Sequence, residues 1–335
     1  MQLCIIIMIS NKLNLSLKIL ASFLMLSLLF KDQEEKLTPS AYCKSITSNQ
    51  TEKNNCLVNK FNYAENNHLI KIAVIDTGID ASHVSLQSYI SPIGYDFTNT
   101  MLKTPFVDNL GHGTHVAGII VSEIDKLADQ YQIVLPIEIT SVKYFDYNTE
   151  GGDLGGAMIQ LLGANQQFDI LNISSAGNEF YNSTEYAAFN LTNLFGIQVV
   201  IAAGNLGTDL DQIPNYPCSY DFKNIICVGN LFPNNEINFS SNFGSKVDVF
   251  EMGTQVVSTW PRNQFATLTG TSMAVPKVTA KISYIKVMGN LSINQYLLRN
   301  KFSAFTNQLV NIEDIKYSVF KENLDTKRRL ANVEY

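Results

Sequence analysis

A chain of 335 residues, 46% of them hydrophobic and only 16% charged, can bury one large core, and no tandem repeat or long low-complexity block divides it. Its formal charge of −6 offers no basic surface to a polyanion, which excludes nucleic acid as a partner.

Residues 1–30 contain two apolar runs, 4–9 and 19–30, separated by Lys12 and Lys18 and free of acidic side chains. The second run is shorter than the about 20 apolar residues that a spanning helix needs. The stretch is therefore read as a signal peptide or leader, with a secreted or lumenal destination and no stable membrane span in the mature chain. Residues 31–68 turn polar and rich in Asn, Lys and Glu, a composition that cannot form a core alone, and read as a short pro-segment or N-terminal extension. Of the five cysteines, Cys4 falls in the leader. Proximity pairs Cys43 with Cys56 and Cys218 with Cys227, one of three connectivities open to four cysteines. Asn-x-Ser/Thr triplets at Asn49, Asn182, Asn190, Asn238 and Asn290 are acceptors for glycosylation in a secretory pathway, although such triplets arise often by chance.

From residue 70 buried strands alternate with helical patterns. Residues 71–75 form a strand apolar on both faces, with Asp76 at its C-terminal end before Thr77 and Gly78. Asp80 reads as a loop or capping residue. The spacing then predicts a helix over 112–123, one or two strands over 133–144, a helix over 154–167, a strand over 170–173 and a helix over 186–194. Strands over 197–203, 225–228 and 247–250 follow, then a helix over 272–288. Such alternation implies an α/β fold with a mainly parallel central sheet covered on both faces. Catalytic groups in such sheets gather at the C-terminal edge of the strands, where Asp76 stands.

In GTSMAVP, residues 270–276, Ser272 opens the last apolar helix, where free backbone amides and the positive end of the helix dipole favour a forming anion. Pro276 withholds the amide that would bond the Ser272 carbonyl. A serine hydroxyl needs a neighbouring base, and the chain has four histidines: His68, His83, His112 and His115. In GHGTHVAGII, residues 111–120, His112 stands at a helix mouth between two glycines, while His115 falls inside the first turns and packs. Zinc is excluded because a metalloprotease pair needs His at i and i+4 with a Glu after the first, and Gly113 fills that place. The orienting carboxylate is supplied by Asp76 in KIAVIDTGID. The tripeptide AGN occurs twice, ending at Asn178 and Asn205, and only the second directly follows a buried strand.

DTGID, GHGTHVAG and GTSMAVP, in the order Asp, His, Ser, resemble the three signature segments of the subtilisin-like serine proteases, over roughly residues 69–290. The resemblance implies a three-layer α/β/α sandwich, with Asp76 as orienting acid, His112 as general base, Ser272 as nucleophile and Asn205 as oxyanion donor. It implies a serine endopeptidase working through an acyl-enzyme, with no cofactor required for catalysis and with protein or peptide substrates. Calcium is often structural in that family, but no loop here has a recognisable ligand spacing, and no metal residue is assigned. The substrate cleft is expected along 147–156, with Gly151 and Gly152, and along Ser174, Ser175, Ala176 and Gly177, where a peptide would add as a strand. Ala176 stands where the family commonly has Gly. Lys277 replaces a frequent His, Thr279 and Ala280 the usual small pair, and Glu251 and Met252 an Ala and a Pro.

The implied layout is a leader at 1–30, a pro-segment at 31–68, a peptidase domain at 69–305 and a solvated tail at 306–335, in a monomer. The rival reading is a catalytically silent relative that binds peptides, against which the intact Asp, His, Ser and Asn set argues. An esterase would want a G-x-S-x-G elbow and the order Ser, Asp, His, neither of which is present.

Overall fold

The computed structural model describes residues 69–131, 133–146, 152–164, 167–177, 179–288 and residue 293. The leader, the 31–68 segment, Cys43, Cys56, His68, Asn49, Gly151, Asn178, Asn290 and the C-terminal tail lie outside the described residues.

Seven strands form one sheet: β1 (Ile70–Asp76), β2 (Tyr95–Asp96), β3 (Ile137–Lys143), β4 (Ile170–Ile173), β5 (Gln198–Ala202), β6 (Ile225–Leu231) and β7 (Val249–Met252). Their order is β2-β3-β1-β4-β5-β6-β7, and every pairing is parallel. The strands are apolar on both sides because both sides are covered. Along β1, Ile70, Ile72 and Val74 enter a core shared with α1 (His112–Tyr131) and α4 (Thr271–Met288). Ala73 and Ile75 enter the opposite core, shared with α2 (Leu154–Leu162) and α3 (Ser183–Leu194). The period of two along the strand thus sorts side chains into the two outer layers of an α/β/α sandwich.

Element boundaries moved where caps settle them. The helix expected over 154–167 stops at Leu162, with Gly163 as its cap. That expected over 186–194 begins at Ser183, because Asn182 accepts from the amides of Thr184 and Glu185 and caps it. The helix begun at His112 continues to Tyr131. The 133–144 stretch is the single strand β3.

An antiparallel hairpin, β8 (Val256–Trp260) and β9 (Gln264–Leu268), was not expected from the sequence. Its turn is carried by Arg262 and Asn263 at φ 64° and 56°, without the glycine that marks most such turns, and its faces are half exposed, so neither hairpin signal is present. Side chains from elsewhere hold it. His83 Nε2 lies 3.1 Å from the Gln264 carbonyl, His115 Nε2 lies 3.0 Å from that of Ala266, and Asp80 accepts from the Arg262 amide at 2.7 Å. His115 and Asp80 thereby take the structural roles expected of them.

Cys218 and Cys227 form a disulfide. Among the glycosylation triplets, Asn238 is buried, with its amide nitrogen donating to Thr254 Oγ1 at 2.9 Å, which leaves no room for a sugar in this fold. Among the described residues no helix is long and apolar enough to cross a membrane.

Candidate active site

The chain leaves β1 for β2 and β3 on one side of it and later builds β4 to β7 on the other, so a crevice opens at the C-terminal end of β1. Asp76 is the last residue of β1 and is 4% exposed. Its Oδ1 accepts from the Thr77 amide at 2.8 Å and lies 2.8 Å from His112 Nδ1. Among the described residues its buried Oδ2 has no hydrogen-bond partner, an arrangement that favours a cation beside the carboxylate. The His112 side chain keeps 31% of its surface exposed. Burial pushes the imidazole toward a lower pKa, but the charge and hydrogen bond of Asp76, with Asp108 farther off, outweigh it, and the net displacement is upward.

A buried carboxylate that sequence reasoning missed fixes this pair. Asp108 Oδ1 accepts from Thr77 Oγ1 at 2.8 Å and from the Gly111 amide at 2.7 Å. Its Oδ2 accepts from Thr114 N at 2.8 Å and Thr114 Oγ1 at 2.6 Å. Thr77 Oγ1 in turn accepts from the Gly113 amide at 2.9 Å, so the strand end carrying Asp76 and the helix start carrying His112 share one network. An Asp just before a glycine-led helix is a capping signal and could have flagged it. The approach also requires Gly113, where a Cβ would meet the Gly78 carbonyl oxygen at 2.1 Å.

Ser272 is the second residue of α4 and is half-buried. Asn205 lies beside that helix start, where its Oδ1 accepts from Thr271 N at 2.9 Å and Thr271 Oγ1 at 3.1 Å. With the oxygen committed, Nδ2 remains as a donor with no partner among the described residues, next to Gly270, whose Cβ would lie 3.4 Å from it. Gly253 backs the turn: a Cβ there would sit 2.4 Å from the Gly270 carbonyl oxygen and 2.9 Å from Ala274 N. Pro276 lies inside α4, so the Ser272 carbonyl has no helical donor. Asp76 and His112 are thus joined directly, and Asn205 joins the start of α4. Among the described residues no hydrogen bond links His112 to Ser272, whose helices open at the same sheet edge; catalytic hydrogen bonds often tighten only when substrate binds.

Of the residues expected along a cleft, Ser174 is buried and its Oγ accepts from Asn172 Nδ2 at 3.0 Å, while Thr279 of α4 donates to Asn172 Oδ1 at 2.8 Å. Ser175 is half-buried, and Ala176 and Gly177 are exposed. Gly177 abuts the Tyr216 carbonyl oxygen, which a Cβ would meet at 2.1 Å, and Gly152 abuts Tyr144. The departures near α4 compensate one another: Glu251 is buried and ion-paired with Lys281. Burial pushes the Lys277 ammonium to a lower pKa and the Glu251 charge opposes that. Among the described residues no group of three or more His, Cys, Asp or Glu could hold a metal ion.

Residues 67–309 match the model of the subtilase family. The chain is 32% identical over 278 residues to subtilisin-like protease 2 of Plasmodium falciparum (isolate 3D7), covering 79% of this chain and 20% of that protein. It is 34% identical to a thermophilic serine proteinase of Bacillus sp. (strain AK1), covering 67% of this chain and 54% of that one. To thermitase of Thermoactinomyces vulgaris it is 33% identical, covering 67% and 77%. The chain therefore spans about a fifth of the Plasmodium protein and about half of the Bacillus one. Among solved structures, that of a cold adapted subtilisin-like serine proteinase superposes with a TM-score of 0.53 at 25% identity, covering 68% of this chain and 81% of that one.

Proposed function

The chain belongs to the subtilase family, and on that premise we propose that it is a serine endopeptidase whose triad is Asp76, His112 and Ser272. The observation that carries this reading is the 2.8 Å contact of His112 Nδ1 with the buried Asp76 carboxylate at the sheet edge where α4 also begins. Held in that way, the imidazole presents its other nitrogen as the base. It takes the Ser272 proton as Oγ attacks the scissile carbonyl, and returns it to the leaving amine when the acyl-enzyme forms. Water then repeats the sequence on the acyl carbon and frees Ser272. Asp76 stabilises the imidazolium at each stage, in the environment that already raises the imidazole pKa.

The carbonyl oxygen becomes an anion in the transition state, and its donors are the Asn205 Nδ2 and the Ser272 amide at the start of α4. Thr271 supports that role by occupying Asn205 Oδ1, which fixes the amide so that nitrogen rather than oxygen faces the reacting centre. The peptide would pair with Ser174, Ser175, Ala176 and Gly177 on one side and with the arm of Gly151 and Gly152 on the other. Subtilases need no cofactor for catalysis. We further infer a peptidase domain over 69–305, protein or peptide substrates, a monomeric enzyme, and delivery to a secretory destination by residues 1–30.

The test is incubation of the purified chain with a serine-directed phosphonate followed by peptide mapping. Label on Ser272 alone, with labelling and peptide hydrolysis lost in Ser272→Ala, is the expected result. Hydrolysis in the variant should retain only the roughly 10³- to 10⁴-fold acceleration over water that triad deletions leave, a magnitude already established for a subtilisin. Full activity in Ser272→Ala, or label elsewhere, overturns the assignment.

A further inference from the structure

We propose that Tyr144 is a positioning residue for peptide binding, holding the segment 174–177 at a fixed height over the strand that carries Asp76. This rests on the endopeptidase reading and concerns substrate binding within it. Tyr144 directly follows β3, and its backbone amide donates to the Asp76 carbonyl at 3.0 Å, so the residue is tied to the end of β1 itself. Its hydroxyl shares a hydrogen bond of 2.6 Å with Ser175 Oγ. Its ring lies against Gly152, where a Cβ would fall 2.4 Å from Cδ2 and 2.9 Å from Cε2. One residue thus touches both walls of the proposed cleft through its side chain and the strand of the orienting acid through its backbone amide.

The segment continues from β4, whose pairing with β1 ends at Asn172 opposite Val74, and among the described residues no main-chain pairing carries that link on to Asp76. Ser174 is fastened through Asn172 to α4, and Gly177 rests on the Tyr216 carbonyl. The Tyr144 hydroxyl is therefore the described side-chain contact that sets the segment relative to the orienting acid. It is also retained as a neutral donor and acceptor well beyond the usual range, since burial pushes its pKa up to about 12. A segment that pairs with a peptide through its main chain binds well only if its amides and carbonyls are already in line, so the contact acts through preorganisation.

Tyr144→Phe removes one oxygen and keeps the ring on Gly152, and is compared with Ser175→Ala, Ser175→Thr and the double variant in steady-state kinetics on a peptide spanning the cleft. KM in Tyr144→Phe should rise about three- to tenfold, the scale of one net hydrogen bond, with kcat unchanged. Ser175→Ala should match it, the double variant should add nothing further, and Ser175→Thr, which keeps the hydroxyl, should raise KM less than Ser175→Ala does. Phosphonate labelling of Ser272, which does not need the extended cleft, should keep its rate in all four. Unchanged KM with normal labelling, a fall in kcat at constant KM, or additive single effects would each overturn the role of Tyr144. A parental chain that is not labelled at Ser272 overturns the endopeptidase reading beneath it.

Discussion

The half of the site that carries Asp76 and His112 is knit through one buried carboxylate, whereas the half that carries Asn205 and Ser272 is held by neutral side-chain amides and by close backbone packing. In the first, Asp108 alone accepts from Thr77, Gly111 and Thr114, and Thr77 passes the link to Gly113. In the second, Asn242 Oδ1 accepts from the Leu206 and Thr208 amides, Asn230 Oδ1 from that of Gly253 and Asn205 Oδ1 from that of Thr271, while Gly253 lets the strand end press on Gly270 and Ala274. The difference fits the role proposed for each half. A base and its orienting acid need a fixed charge environment, which polar groups supply; a nucleophile and its oxyanion donors need fixed positions, which close packing at a helix start supplies.

The largest expected effect that would break this comparison is in the second half. Asn205→Leu should lower kcat by roughly 10² to 10³, the size measured for the corresponding donor in a subtilisin, with KM barely changed. Kinetics of Asn178→Leu on the same peptide supply the contrast. If the Asn178 change produced the large loss and the Asn205 change did not, the oxyanion donor would lie on the other strand.

A smaller effect is expected in the first half. Asp108→Asn keeps the shape but turns an amide group toward donors that need an acceptor. It should destabilise the fold by about 1–3 kcal/mol, the cost of leaving buried donors unpaired. Urea denaturation in a Ser272→Ala background, where self-digestion is absent, measures it. A variant as stable as its parent would mean that Asp108 is not what binds β1 to α1.

The smallest effect sharpens the electrostatic side. In the Ser272→Ala background, NMR titration of His112 should place its midpoint above the about 6.5 of a free imidazole, since Asp76 outweighs burial. Activity in the parent should accordingly be lost as pH falls through that raised value, because the protonated ring cannot act as base. Asp76→Asn leaves burial with only the farther Asp108 opposing it, and the midpoint should move down. An upward move would show that Asp76 does not supply the opposing charge.

Much of this site was readable from residues 71–80, 111–120 and 270–276, because each motif combines a chemical group with a local backbone signal: a strand end, a helix mouth or a helix start. Asn205 was readable for the same reason, as the residue just past a buried strand. Tyr144 and the Glu251 to Lys281 pair were not, since their partners are distant in sequence, and Asp108 offered only a capping signal that does not reveal its bond to Thr77. The sheet was legible because its strands are apolar on both faces, as in residues 170–173, which form β4 without adjustment. The β8 and β9 hairpin was hidden by a turn whose positive φ angles fall on Arg262 and Asn263.

The strand order also governs when the proposed enzyme comes into being. Asp76 lies in the first described strand, yet β1 finds its neighbours only in β3 and β4, and Ser272 arrives with α4, which packs on α1 and on β4, β5, β6 and β7. At about 5–20 residues per second, translation takes on the order of ten to forty seconds to carry the ribosome from the acid to the nucleophile. Throughout that interval the nascent chain holds a base without a nucleophile, and so has no means of cutting itself or its neighbours until its last described helix docks.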